Sequence, residues 1–250
     1  MNNISTSSLL IASFLVVISL IFSYTQKLKL EKETLIGVVR AVIQLFAVGY
    51  VLDYIFKLKS VLFTTMLLLF MTFNAAYNAG KRGQGIKNVR VISFVSIIIG
   101  TIITLFILVF AKAIKYEPNQ IVPVGGMIIS NAMVAIGLCY RQMKADFKNK
   151  REEVETKLSL GADIKTSSIE IIRDSIKTGM LPTIDSAKTL GIVSLPGMMT
   201  GLILAGVSPV NAIKYQIMVT FMMLSTTAIA SFIACYLGYR GFFNERKQLS

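Results

Sequence analysis

Long apolar stretches alternate with short charged clusters along the whole chain. Runs dominated by Leu, Ile, Val, Phe and Met extend from Ser8 to Tyr24, Leu35 to Phe56, Val61 to Ala79, Val91 to Ile114, Val122 to Tyr140, Thr189 to Gly206 and Tyr215 to Tyr239. Each approaches the roughly 20 residues that a helix needs to cross a hydrocarbon core of about 30 Å. The pattern predicts an all-α polytopic membrane protein with about seven transmembrane helices in a single membrane domain over residues 1–250. No basic stretch precedes the first run and no small-residue cleavage site follows it, so it reads as a retained helix rather than a signal peptide. No internal repeat is evident, which gives no support to an inverted-repeat transporter architecture.

The connection between the fifth and sixth runs, residues 141–188, is far longer than a turn requires. Val154, Leu158 and Gly161 recur there at helical spacing before Gly161-Ala162-Asp163 makes a corner. Ser167 then stands three residues before Glu170, as in a capping box, and Ile169, Ile172, Ile176 and Met180 form an apolar stripe that Gly179, Leu181 and Pro182 are expected to close. The segment is therefore expected to hold two short amphipathic helices. Such helices either lie on the membrane surface or dock a partner.

Charge sets the orientation. The formal net charge is +13, but the chain is 54% hydrophobic and 16% charged, and its cations sit at helix ends rather than on one face, which argues against nucleic-acid binding. One side of the expected topology carries Lys27, Lys29, Lys32, Lys81, Arg82, Lys87, Arg90, the ten basic residues from Arg141 to Lys188, and Arg240, Arg246 and Lys247. The other carries Lys57, Lys59, Lys112, Lys115 and Lys214. Basic residues are retained in the cytoplasm, so the amino terminus is expected outside and the carboxyl terminus inside, in the cell's inner (cytoplasmic) membrane. There is no histidine, and Cys139 and Cys235 are isolated in apolar runs, which disfavours a zinc or haem site and a structural disulfide. Gly80-Lys-Arg-Gly-Gln-Gly85-Ile-Lys87 has glycines at phosphate-loop spacing but lacks the Gly-Lys-Ser/Thr ending, and reads as a basic turn.

Glu155-Thr-Lys-Leu-Ser-Leu-Gly161-Ala162, with Leu181-Pro182 downstream, resembles the EAA loop of ABC permeases, although Thr156 and Lys157 replace the two alanines and Leu-Pro falls about eight residues late. From Pro182 the resemblance sharpens. Pro182-Thr-Ile-Asp185-Ser186-Ala-Lys188-Thr-Leu-Gly191-Ile-Val-Ser194-Leu-Pro196-Gly197-Met198-Met199-Thr200-Gly201, with Asn131 to Arg141 and Lys214-Tyr215-Gln216, is similar to the Fet-type iron-export permease family, which includes plant members linked to aluminium tolerance. The resemblance implies a homodimeric permease joined to two ABC ATPase subunits and exporting iron or a related metal. It implies that residues 141–188 form the ATPase-coupling segment, with Glu155, Gly161, Ala162, Leu181 and Pro182 as its contact residues. ATP and its magnesium would then be bound and hydrolysed by the partner, this chain binding no cofactor of its own.

Candidate path residues each have a second reading. Met198 and Met199 offer thioether sulfur to a soft or borderline metal, or fill gaps in an apolar core. Pro196 and Gly197 interrupt the sixth run as a hinge at the path, or serve close helix packing with Gly201 and Ala205. Arg40 and Gln44, four apart in the second run, and Asp53 bind cargo inside a bundle, or lie where Arg40 snorkels. Asn74, Asn78 and Asn131 are expected to bond between helices. Asp185 and Lys188 form a gate or a helix-end ion pair. The rival class is a self-sufficient secondary transporter or channel for a metal ion or small solute, carried by Arg40, Asp53 and the amides. A membrane enzyme finds no convergent acid, base and nucleophile.

Overall fold

The computed structural model describes residues 6–58 and 60–249. Residues 1–5, within the segment expected to be exported, and Lys59 lie outside the described residues. The chain divides into two compact units, Met1–Leu58 and Lys59–Ser250. The first holds α1 (Thr6–Thr25) and α2 (Glu31–Leu58), joined where the Ser23 hydroxyl donates to Glu31 Oε1 at 2.8 Å and accepts from the Leu30 amide at 3.2 Å. The second holds α3 (Val61–Arg82), α4 (Val89–Phe110), α5 (Pro118–Asn149), α6 (Arg151–Ser159), α7 (Ile164–Thr189), α8 (Gly197–Leu204), α9 (Pro209–Gly238) and the 3-10 turn Tyr239–Phe242. Among the described residues the only extended pairings are isolated bridges.

Among the described residues six helices, α1 to α5 and α9, are long and apolar enough to cross a membrane. Their faces are inverted relative to a soluble bundle. On α4 the buried positions are Ser93, Ser96, Ile97, Gly100, Thr101, Thr104, Leu105 and Leu108, whereas Val91, Ile102, Phe106, Ile107 and Phe110 point outward. Small side chains inside let helices approach, and the bulky apolar ones face lipid: this is a multi-pass membrane protein. Of the α4 hydroxyls, Ser93 and Ser96 donate to their own helix, to Val89 O and Ile92 O at 2.7 Å each, and Thr104 bonds Thr226 of α9 at 2.7 Å, while Thr101 Oγ1 is buried without a partner. At the second unit's centre, α5 packs on α3, α4, α7 and α9, and α9 on α4, α5, α7 and α8.

Two sequence expectations change here. The sixth run, Thr189 to Gly206, is not one helix. The chain leaves α7 at Thr189, turns through Gly191 at φ +80° and a Leu190–Ser194 bridge, and regains helix only for the eight residues of α8. Gly191 takes a left-handed conformation that residues with a Cβ resist, and Pro196 has no N–H to continue a helix.

The second coupling helix is also not short. It starts one turn before the Ser167 box, capped by Asp163, and runs 26 residues straight through Gly179 and Pro182. Local breaker rules are overridden by packing. A Cβ on Gly179 would overlap Cys139 Sγ of α5 and stand 2.9 Å from Ala135 O and 3.1 Å from Ser231 Oγ of α9, so glycine is what allows the three helices to meet. Once α7 is held there, the single hydrogen bond that Pro182 forfeits does not end it.

Candidate functional site

Two concave regions of the second unit gather the residues singled out by sequence. The first is a cleft of about 1180 Å³ at the α6–α7 corner, lined by Glu155, Gly161 and Ala162. Gly161 makes the corner at φ +91°, where an added Cβ would meet no atom, so its role is conformational. Asp163 begins α7: its Oδ1 accepts the Thr166 amide at 3.0 Å, and hydrogen bonds from the Thr166 side chain and then its amide hold the carboxyl below the usual range. Lys157 joins the two helices, pairing with Glu153 at 2.6 Å on α6 and with Glu170 at 3.8 Å on α7. The hydrogen bond and charge of Lys157 lower the Glu153 carboxyl, and Glu153 raises the Lys157 ammonium. Glu155 is held by Arg151 at 2.8 Å.

The opposite wall of this cleft is the segment after α9, which entered the sequence analysis only through the cations Arg240, Arg246 and Lys247. Phe242 stacks on Phe147 of α5 at 4.3 Å between ring centroids, Phe243 meets it edge-on at 5.7 Å, and Leu249 is buried. Arg151 Nη2 donates to Leu249 O at 3.3 Å. Arg240, Arg246 and Lys247 line the cleft with Lys165. The signal for this strap was the aromatic pair Phe242-Phe243 within polar sequence. Leu181 and Pro182 are not at the corner: they lie exposed on α7, with Pro182 about 28 Å along the helix from Asp163 at 1.5 Å per residue.

The second region is a cavity of about 180 Å³ beside the break between α7 and α8. Its lining comprises Met127 of α5, Thr183, Ser186, Ala187 and Leu190 at the end of α7, Pro196, Gly197 and Met198, and Gln216, Val219, Thr220 and Met223 of α9. Met199 is not in the lining, as expected for a neighbour turned about 100° away on a helix. Gln216 Oε1 is buried without a hydrogen-bond partner. Of this set, Pro196, Gly197 and Met198 were legible in sequence. Thr183 and Ser186 stood in sequence only within the family-like stretch Pro182 to Gly201 and Gln216 only within Lys214-Tyr215-Gln216, whereas Thr220 had no signal.

The remaining candidates lie elsewhere. Arg40 and Gln44 are exposed on α2 of the first unit, and Asp53 pairs with Lys57 one turn away at 2.7 Å. Asn78 bonds Asn74 on its own helix and Asn131 Nδ2 donates to Met127 O at 2.9 Å, so these amides bond within a helix, not between helices. Asp185 and Lys188 form an exposed ion pair at 2.9 Å. Cys139 and Cys235 are free, fully buried thiols in contact across α5 and α9.

Comparison with known proteins agrees along the whole chain. It is 51% identical over 248 residues to the "Probable iron export permease protein FetB" of Escherichia coli K12, covering 99% of this chain and 96% of that one. It is 38% identical to the UPF0014 membrane protein STAR2 of rice, covering 96% of this chain and 84% of the relative. Identity to the Arabidopsis thaliana protein ALUMINUM SENSITIVE 3 is 36%, over 95% and 87% of the two chains. No solved structure matches. Residues 6–243 match the uncharacterised protein family UPF0014, and the chain belongs to that family.

Proposed function

We propose that this chain is the membrane-spanning subunit of an ABC-type exporter, working as a homodimer in the cytoplasmic membrane and moving iron or a related metal out of the cell with energy from a separate ATPase. The observation that carries the reading is identity of 51% across nearly the full length of both chains to a protein described as a probable iron export permease. Three structural features support it. The α6–α7 corner is rigidly built, with a fixed glycine turn, a capped helix and an inter-helix ion pair, as a lever requires. From that corner α7 runs unbroken to the cavity, so a push on its capped end is transmitted along one helix to the α7–α8 break. The break itself, with Ile192 and Val193 87% and 78% exposed, offers an uncovered apolar segment to a second copy of the chain.

The test is purification of the tagged chain from its native membrane in mild detergent. A stoichiometric ATPase is expected to accompany it, and Gly161→Val, which forces a branched side chain into a left-handed turn, is expected to release that ATPase or uncouple its hydrolysis while the protein remains inserted. A wild-type chain that purifies alone and moves metal without ATP would overturn the reading in favour of a secondary transporter.

A further inference from the structure

We infer that the cavity at the α7–α8 break is a cargo site of neutral donors, which takes a soft or borderline metal cation of low charge, +1 or +2, and rejects ferric iron and anionic chelates. This deepens the permease reading and rests on it.

The donor set carries the inference. The described lining residues offer three thioethers, from Met127, Met198 and Met223, hydroxyls from Thr183, Ser186 and Thr220, and the Gln216 amide, with no carboxylate, thiolate, imidazole or cation among them. Thioether sulfur selects soft ions, whereas hard, highly charged ions need anionic oxygen to replace their hydration shell. A trivalent ion entering these neutral walls would be desolvated without compensation. An anionic chelate would find no cation to pair with. Weak, neutral ligands also suit transport, because a site that releases its cargo must not hold it too tightly.

Four further observations separate this cavity from ordinary core. Methionine is flexible and normally collapses into irregular gaps, yet here three methionines surround an open volume. A water molecule needs roughly 10–15 Å³ of such space, so 180 Å³ accommodates an ion with part of its hydration shell. Gln216 Oε1 is a buried acceptor with no donor, which a cation or its water would satisfy. The cavity also lies against non-helical backbone, although Met127 and Val219 are inside the candidate spans α5 and α9. In membrane proteins such breaks are tolerated where they are covered by protein or line a polar cavity.

The test measures binding by the purified full-length chain in detergent without oxygen, using ferrous ion, silver as the monovalent probe, and ferric citrate. Wild-type protein is expected to bind ferrous ion and silver and to leave ferric citrate in solution. Met198→Leu with Met223→Leu conserves volume and is expected to weaken both by about tenfold or more, and the number of sulfur neighbours seen by X-ray absorption at the bound metal should fall, with at most Met127 remaining. Met199→Leu is expected to change neither. Equal binding by the double variant overturns the inference. So does silver binding that survives in the double variant but is lost in Cys139→Ser, which would put the ion on the buried thiol pair. Binding is read without ATPase, so its failure leaves the permease reading intact, and failure of ATP-driven flux leaves the binding result intact.

Discussion

α5, α7 and α9 meet twice, and the two junctions are built in opposite ways. Around Gly179 the helices are sealed: the glycine lets backbone approach the Cys139 thiol, Ala135 O and Ser231, and Cys139 and Cys235 are fully buried. Farther along α7, around Ser186 and Leu190, the same helices are held apart by Met127 and Met223, and a cavity remains. Small rigid residues fix helices in place, whereas long flexible side chains leave room for a ligand and for rearrangement. On the proposed reading the first junction would serve as a fulcrum and the second as the place where movement of α7 changes what is bound.

The largest effect should come from breaking the sealed junction. Gly179→Val inserts a branched side chain into occupied space and is expected to destabilise by on the order of 3 kcal/mol or to prevent folding, read as a lower unfolding midpoint in detergent. The matched change at the open junction, Met223→Leu, should cost less than about 1.5 kcal/mol in the same assay while altering metal binding. Comparable losses at both positions would remove the contrast.

The lever that joins the corner to these junctions should respond more mildly. Asp163→Ala removes the cap of α7 and should speed hydrogen exchange at the Thr166 amide without unfolding the bundle. Acid should act in the same direction. Because the folded Asp163 carboxyl titrates below its ordinary value, its contribution is present above that value and is lost as pH falls through the folded one. The protection of the Thr166 amide, its exchange rate referred to the intrinsic rate at the same pH, should therefore fall on acidification in the native chain and stay unchanged in Asp163→Ala. The smallest effect is expected at Asp185→Asn: the Lys188 pair is exposed, such pairs contribute little, and the unfolding midpoint should stay where it is.

The membrane helices were legible because span length and apolarity are local properties, and α1 to α5 and α9 lie where the runs were seen. The broken span was not. Hydropathy averages over Thr189 to Gly206 and does not register that Gly191 turns left-handed or that Pro196 withholds a donor. The length of α7 was misjudged for the converse reason: Gly179 and Pro182 are helix breakers in isolation, but tertiary contact at Gly179 makes the helix continue. Met198 and Pro196 could be singled out as a pair, yet Gln216, Thr220 and Met223 join them only through the return of α9, which no local pattern encodes. The strap Phe242 to Leu249 was hidden among charges, since its anchoring depends on Phe147 nearly a hundred residues earlier.

The most direct measurement of the central claim is metal movement in sealed vesicles that contain this chain together with the ATPase recovered with it. The account predicts ferrous ion transport that needs both proteins and ATP and that stops in Gly161→Val although the complex stays in the membrane. Transport by this chain alone, driven by an ion gradient and indifferent to ATP, would contradict it.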